Sequence, residues 1–311
     1  MNIFDKKTVR DALPYDQLIE ALRKAFMEDV IVPQRTHHVI ENRGESDASL
    51  LLMPAWNNLE NIGIKIVSVF PDNAKNNLGS VNASYFVMDR KTGIPKAVID
   101  GSELTLRRTA ASSALASSYL SNPNAETLLM VGTGKLASYM IEAHMAARDI
   151  KNILVWGRRE EAALELVSAL SPKIKSIECR RDLKSAVDES DIISCATLAK
   201  EPLIMGEWLH DGQHIDLVGA FTPDMHEADG VALEKARVIV DTYFGALTES
   251  GEIIDAIKEG FISESDIVAD LKELVCDDKI GRRNTTDITL FKSVGTALED
   301  LAAATLILQN A

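Results

Sequence analysis

Cysteine is scarce in this chain. Cys179, Cys195 and Cys276 lie far apart, form no CxxC pair and are odd in number, so neither a disulfide framework nor a thiolate zinc site is expected. Three thiols acting as small apolar residues fit a reducing compartment, and the expected location is the cytoplasm. Histidine is thin too. There are six, with no HExxH pattern, and the adjacent His37 and His38 would point to opposite faces of a strand. No metal site is expected. Long apolar runs are missing: nothing reaches the roughly 18 residues of a membrane span. The opening stretch MNIFDKKTVRDALPYDQ is charged early and lacks the apolar centre of a signal peptide. Positive charge is also short, with 33 Lys and Arg against 47 Asp and Glu and a net charge of −14. That balance argues against nucleic acid and anionic membranes as partners. It leaves room for a small anion met by local basic residues.

What is present is a 311-residue chain, 46% hydrophobic and 26% charged, long enough for two domains, without internal repeats or low-complexity linkers. After Pro14, Leu18, Leu22, Ala25 and Phe26 share one face, which predicts an amphipathic helix over 14–29. Short β-like runs follow: THHVIE, SLLLMPAW, IGIKIVSVF, ASYFVMD and PKAVID, separated by turn-rich PDNAKNN and DRKTG. They predict a sheet domain with antiparallel neighbours. LTLRRTAASSALASSYL reads as a helix of small residues. From residue 127 strands alternate with helices: TLLMVG, NILVWG, SIECR, DIISCAT, HIDLVGA and RVIVDT are continuous apolar runs of the kind buried on both sheet faces. The alternation predicts a parallel, doubly wound α/β sheet. A last strand and an amphipathic helix close the chain; composition allows that helix to join either domain.

Gly132-Thr133-Gly134-Lys135-Leu136-Ala137 fits GxGxxA between a strand and a helix. The first glycine permits a tight turn, the second lets backbone approach a pyrophosphate, and the alanine allows close helix–strand packing over a helix N-terminus that favours anions. The following strand, NILVWG, supplies the required context and predicts a dinucleotide site. An NAD site usually has an acid at the end of that second strand. Here Arg158 and Arg159 stand there instead, and a guanidinium suits a 2′-phosphate, so NADPH is favoured, with NADH also possible. Thr197 ends the fourth strand of the alternating region, at the carboxyl edge where ligands sit.

Outside this region Arg35, Lys65 and Arg108 stand out. Lys65 lies between Ile64 and Ile66, and a buried ammonium requires an anion. A substrate carboxylate gripped also by arginine would be one. Snorkelling of Lys65, and helix-start salt bridges for Arg107 and Arg108, are the alternatives.

The segments PQRTHH, GIKIVSVFPDN, RTAASSALAS, VGTGKLA, VWGRR, DIISCAT and DLVGAFTPDMHEAD, in that order, resemble the ornithine cyclodeaminase/mu-crystallin family. The resemblance implies a homodimer whose subunit has two domains. One is an α+β domain for substrate binding and dimerisation, over 1–115 completed by the helix in 294–311. The other is a Rossmann domain over 116–293. By motif, Arg35, Lys65 and Arg108 would bind the substrate carboxylate, and Ser80 and Asn82 match polar positions near substrate or nicotinamide. Lys65 would be a conceivable proton source, depressed by two arginines and supported by the bound carboxylate; water is the alternative donor. Cyclodeaminases carry an aspartate where this chain has Phe221, which cannot pair with an ammonium; Asp224, in TPD, reads as a turn residue. The resemblance therefore implies NAD(P)H-dependent reduction of a cyclic ketimine carboxylate. A cyclodeaminase, an alanine dehydrogenase and a non-catalytic NADPH-dependent binder are the family alternatives.

Overall fold

The computed structural model describes residues 1–42, 46–57, 60–76 and 78–311. The chain opens with β1 (Asn2–Phe4), α1 (Lys6–Ala12) and α2 (Tyr15–Met27). There follow β2 (Val30–Ile31), β3 (Thr36–Ile40), β4 (Ala48–Asn57), β5 (Asn61–Val69), β6 (Val81–Asp89), β7 (Pro95–Asp100) and the long α3 (Gly101–Leu120). The alternating region holds β8 (Thr127–Val131), α4 (Ala137–Ala147), β9 (Asn152–Trp156), α5 (Glu160–Leu170), β10 (Ile177–Cys179), α6 (Leu183–Asp188) and β11 (Ile192–Cys195). It continues with β12 (His214–Leu217), α7 (Gly230–Lys235), β13 (Arg237–Val240), α8 (Tyr243–Glu249) and α9 (Gly251–Glu259). The chain ends with β14 (Ile267–Asp270), α10 (Leu271–Val275), β15 (Thr289–Lys292) and α11 (Ala297–Asn310).

Two compact units result: Met1–Arg108 with Thr296–Ala311, and Thr109–Gly295. The first division falls inside α3, upstream of the 115/116 boundary expected from sequence. A continuous helix has no linker signature, so nothing in the composition marks the change.

In the first unit the described strands run β1-β7-β6-β5-β4-β2, with β3 also paired to β4. Strands β3 to β7 pair antiparallel, as the hairpin-like runs predict. β1, which the sequence reading passed over, adds in parallel to β7. Side chains alternate across the sheet. One face carries Met53, Ala55, Lys65, Tyr85, Val87, Ala97 and Ile99, all buried. It is covered by α11, whose Ala297 and Leu301 pack on Met53 and Ala55. α2 packs in turn on α11 through an apolar stripe that includes Leu18, Leu22 and Phe26. Asn310 Nδ2 closes the layer by donating to Ala12 O (3.0 Å). The last helix thus completes the first unit, the alternative that composition left open.

The second unit is an eight-stranded sheet in the order β10-β9-β8-β11-β12-β15-β13-β14, parallel throughout. Its inner strands β8, β11, β12, β15 and β13 are buried on both faces, as their apolar runs require, while the edge strand β10 is partly exposed. Asp216, in the middle of β12, is one of the buried polar side chains of these strands. It accepts from Ser113 Oγ of α3 (2.8 Å) and Ser194 Oγ of β11 (2.8 Å), and sits 3.1 Å from His144 Nε2 of α4. The buried carboxylate therefore ties two helices to the sheet. β14 was not read from sequence because IVAD is short and flanked by acids. No helix among the described residues is long and apolar enough to cross a membrane, and no cluster of metal-ligating side chains occurs among them. Cys179, Cys195 and Cys276 are free thiols.

Candidate active site

In the first unit, Lys65 sits at the centre of β5 and points under α11, only 3% exposed. Snorkelling is therefore not what it does. The anion that its burial demands comes from the chain itself: Lys65 Nζ lies 2.7 Å from Asp300 Oδ2. Arg108 of α3, 5% exposed, completes the array. Its Nε donates to Asp300 Oδ1 (2.8 Å) and its Nη1 to Glu299 Oε2 (2.6 Å). Glu299 and Asp300 are themselves wholly buried. Arg35, half-buried just before β3, is close enough for its charge to act on Lys65. Lys65 and Arg108 are thus held by two buried carboxylates, with the charge of Arg35 acting on Lys65.

These charges set one another's acidity. Burial pushes the Lys65 ammonium down to about 8; Asp300 opposes the fall, and Arg108 and Arg35 add to it. Burial pushes the Asp300 carboxyl up, but Lys65 and Arg108 together hold it below the ordinary carboxylate range. Burial works against the charge on Arg108 as well, and Asp300 and Glu299 more than offset it. Tyr85 pairs across the sheet with Lys65 and is also fully buried. Gly63 leaves room for its ring, since a Cβ there would lie 1.9 Å from Tyr85 Oη.

The other residues expected near substrate are held locally. Ser80 stands at the far end of the β5–β6 pair and donates from Oγ to Pro71 O (3.4 Å); Asn82 Nδ2 donates to Gly79 O (3.0 Å). Neither joins the Lys65 array. Arg107 is structural. Its Nε donates to Leu13 O (2.8 Å) and its guanidinium lies 4.3 Å from the centre of the Tyr15 ring.

In the second unit, the GxGxxA segment lies between β8 and α4. Gly132 has φ +115°, and a Cβ there would approach Ala196 O to 2.7 Å, so only glycine fits. Gly134 faces open space, with nothing within 4 Å of a Cβ position. Ala137, fully buried, lets α4 start against the sheet. Thr133 is half-buried at the turn, Lys135 is exposed, and Leu136 precedes the first helical residue. This is a backbone cradle with its anion-facing side open, which fits a pyrophosphate. Arg158 and Arg159, past the end of β9, are both exposed and neither forms an ion pair among the described residues. The nearby Glu160 is taken by Arg181 (2.6 Å) instead. Thr197 follows β11, but its N–H and hydroxyl both go to Glu227 Oε1 (2.7 and 3.0 Å). Phe221 is 48% exposed. Asp224, held at about 2 chiefly by Lys200 and Thr222, is spent on a surface pair with Lys200 (2.7 Å).

Glu299, Asp300 and Glu227 are the residues that sequence reasoning missed. A signal existed for the first two. Two acids inside ALEDLAAATLIL, a helix buried on nearly every side, must be met by cations.

NMR titration of the Lys65 side chain is expected to give a midpoint near 8. In Asp300→Asn the charge that most favours the ammonium is gone, so the midpoint should fall further. A rise would contradict the array.

A model of the ornithine cyclodeaminase/mu-crystallin family matches residues 2–311. The Delta(1)-pyrroline-2-carboxylate reductase of Colwellia psychrerythraea is 37% identical over 314 residues, covering 100% of this chain and 99% of the relative. Among solved structures, the Delta(1)-pyrroline-2-carboxylate reductase of Thermococcus litoralis, in complex with NADH and L-proline, is 35% identical. It superposes with a TM-score of 0.93 over 100% of this chain and 97% of that one. An archaeal alanine dehydrogenase dimer with bound NAD is 29% identical, with a TM-score of 0.91 over 100% and 96%. The chain belongs to the ornithine cyclodeaminase/mu-crystallin family.

Proposed function

We propose that this protein is an NAD(P)H-dependent oxidoreductase that reduces a cyclic ketimine carboxylate, Δ1-pyrroline-2-carboxylate to L-proline or Δ1-piperideine-2-carboxylate to L-pipecolate. The observation that carries the reading is the buried array of the first unit, where Lys65 and Arg108 are held in fixed directions with the charge of Arg35 close by, a cluster of cations suited to a carboxylate. The family and the reductases at 35–37% identity support it. Arg35, Lys65 and Arg108 hold the substrate carboxylate and so fix the ring's orientation. NAD(P)H, when bound, supplies the hydride that adds to the imine carbon while a proton adds to nitrogen. Lys65 Nζ, lowered to about 8, is a stronger acid than an ordinary ammonium and serves as a proton source for that nitrogen. Deamination of ornithine is disfavoured, because a phenyl ring stands at position 221 and Asp224 is engaged by Lys200.

Gly132, Gly134 and the start of α4 hold the pyrophosphate, and Arg158 and Arg159 select the 2′-phosphate of NADPH. The dimer is supported by the second face of the first sheet. There Leu52, Pro54, Trp56, Ile64 and Phe86 are half-buried, Ile66 is 40% exposed, and α11 packs on the opposite side. A second copy presenting the same face would bury this apolar strip.

Incubation with either imine should consume NADPH absorbance; no consumption with both ring sizes rejects the activity. Arg35→Ala, which leaves the Asp300 pairs intact, should lower kcat/KM for the imine by about 2–4 kcal/mol through loss of a charged partner. Arg158→Ala should narrow the preference for NADPH over NADH, and an unchanged ratio removes Arg158 from the cofactor site. Sedimentation should give a species of twice 34.0 kDa that Ile66→Glu splits; a monomeric parent rules the dimer out.

A further inference from the structure

We infer that Glu227 is a positioning residue for the nicotinamide half of the cofactor, clasping together the two loops that follow β11 and β12. The inference rests on the cofactor reading above. The ladder between these strands runs out at Cys195 and Leu217, with one more bond from Val218 N to Cys195 O (3.0 Å). Past that point a single buried carboxylate takes over. Glu227 Oε1 accepts from Thr197 N (2.7 Å) and Thr197 Oγ1 (3.0 Å), and Oε2 accepts from Gly219 N (2.7 Å) and Ala220 N (3.1 Å). The loops touch so closely that a Cβ on Gly219 would lie 2.1 Å from both Thr197 N and Thr197 O. Lys292, at the end of the neighbouring β15, donates to Ala220 O (2.6 Å) and lies 2.7 Å from Glu252 Oε1 of α9. The carboxyl ends of three adjacent strands are thus joined by buried charge.

Four donors converge on Glu227, an arrangement that suits only the ionised carboxylate, because a proton on either oxygen would face an N–H or O–H. Its surroundings resist that charge. Burial pushes the carboxyl up to about 7, with Lys292 opposing and Glu252 adding; the buried Cys195 thiol faces it from β11. A charge kept against such desolvation fixes geometry rather than adding bulk stability.

The clasp lies on the side of the sheet that receives the nicotinamide. The strand order β10-β9-β8-β11-β12 reverses between β8 and β11. The glycine turn and Arg158 belong to the β8–β10 half, which takes the adenosine end, and the β11–β12 half takes the other mononucleotide. Each clasped loop also presents an exposed apolar side chain immediately beyond the clasp: Leu198, 70% exposed, after Thr197, and Phe221, 48% exposed, after Ala220. A flat nicotinamide ring suits such flanks.

The test compares two probes, NADPH and 2′-phospho-ADP-ribose, which lacks nicotinamide, by equilibrium binding to the full-length protein. Glu227→Gln sets an amide N–H2 against backbone donors. It should raise the Kd for NADPH about tenfold or more, while that for 2′-phospho-ADP-ribose moves by less than about twofold. Glu227→Asp, which keeps the charge but cannot span both loops, should give the same split and serves if the glutamine variant does not fold. Equal losses on both probes, or no loss on either, overturn the inference. A parent protein that binds neither probe overturns the cofactor reading instead.

Discussion

An ammonium and a guanidinium buried under the last helix of the chain set the design of the first unit. Lys65, Arg108, Glu299 and Asp300 come from β5, α3 and α11, separated by most of the sequence, and meet away from water. Desolvating each such ion costs several kcal/mol, and mutual attraction returns that only when the geometry is tight and every charge is met. The 2.6–2.8 Å contacts meet that demand. They also explain why the chain, having built a complete parallel sheet, comes back to its first unit. Without α11 the lysine and arginine would be stranded, and the buried face carrying Met53 and Ala55 would be bare.

A stronger design for stability alone would replace these ions with apolar side chains of similar volume. Retaining them makes sense if the buried cations have work to do. Two carboxylates fix the directions of Lys65 and Arg108, and Arg35 adds a further positive charge that acts on Lys65. The same balance explains the intermediate acidity of Lys65. Asp300 alone would keep it an ordinary ammonium; burial and two arginines pull it down to about 8, where it can release a proton and regain it.

Much of the architecture was legible because it rests on periodicity. The alternation in β3 to β7 and the unbroken apolar strands from β8 onward reflect one-sided and two-sided burial, which sequence records directly. The GxGxxA turn was legible for a different reason: Gly132, at φ +115°, occupies a conformation that side chains avoid, so the residue type encodes the backbone. The cations were visible as charges in apolar settings. Their partners were not. Glu299 and Asp300 stand in the first turn of α11, where acids are common simply because they favour a helix N-terminus, and Glu227 hides in a polar turn-like stretch. Pairing across such distances in the sequence is a tertiary fact.

The two buried carboxylate systems solve opposite problems with one chemical group. Asp300 accepts from strong cations, which hold its carboxyl below the ordinary range. Glu227 accepts mainly neutral backbone donors, with Lys292 also paired with Glu252, and burial pushes its carboxyl up to about 7. The first arrangement suits a site that must hold a small anion firmly and repeatedly. The second suits loops that must keep one shape beside a bound ring without closing over it, because backbone hydrogen bonds fix direction while leaving the exposed Leu198 and Phe221 available for contact. A cation in the place of those backbone donors would add attraction but no direction, and it is direction that hydride transfer to one face of a planar imine requires.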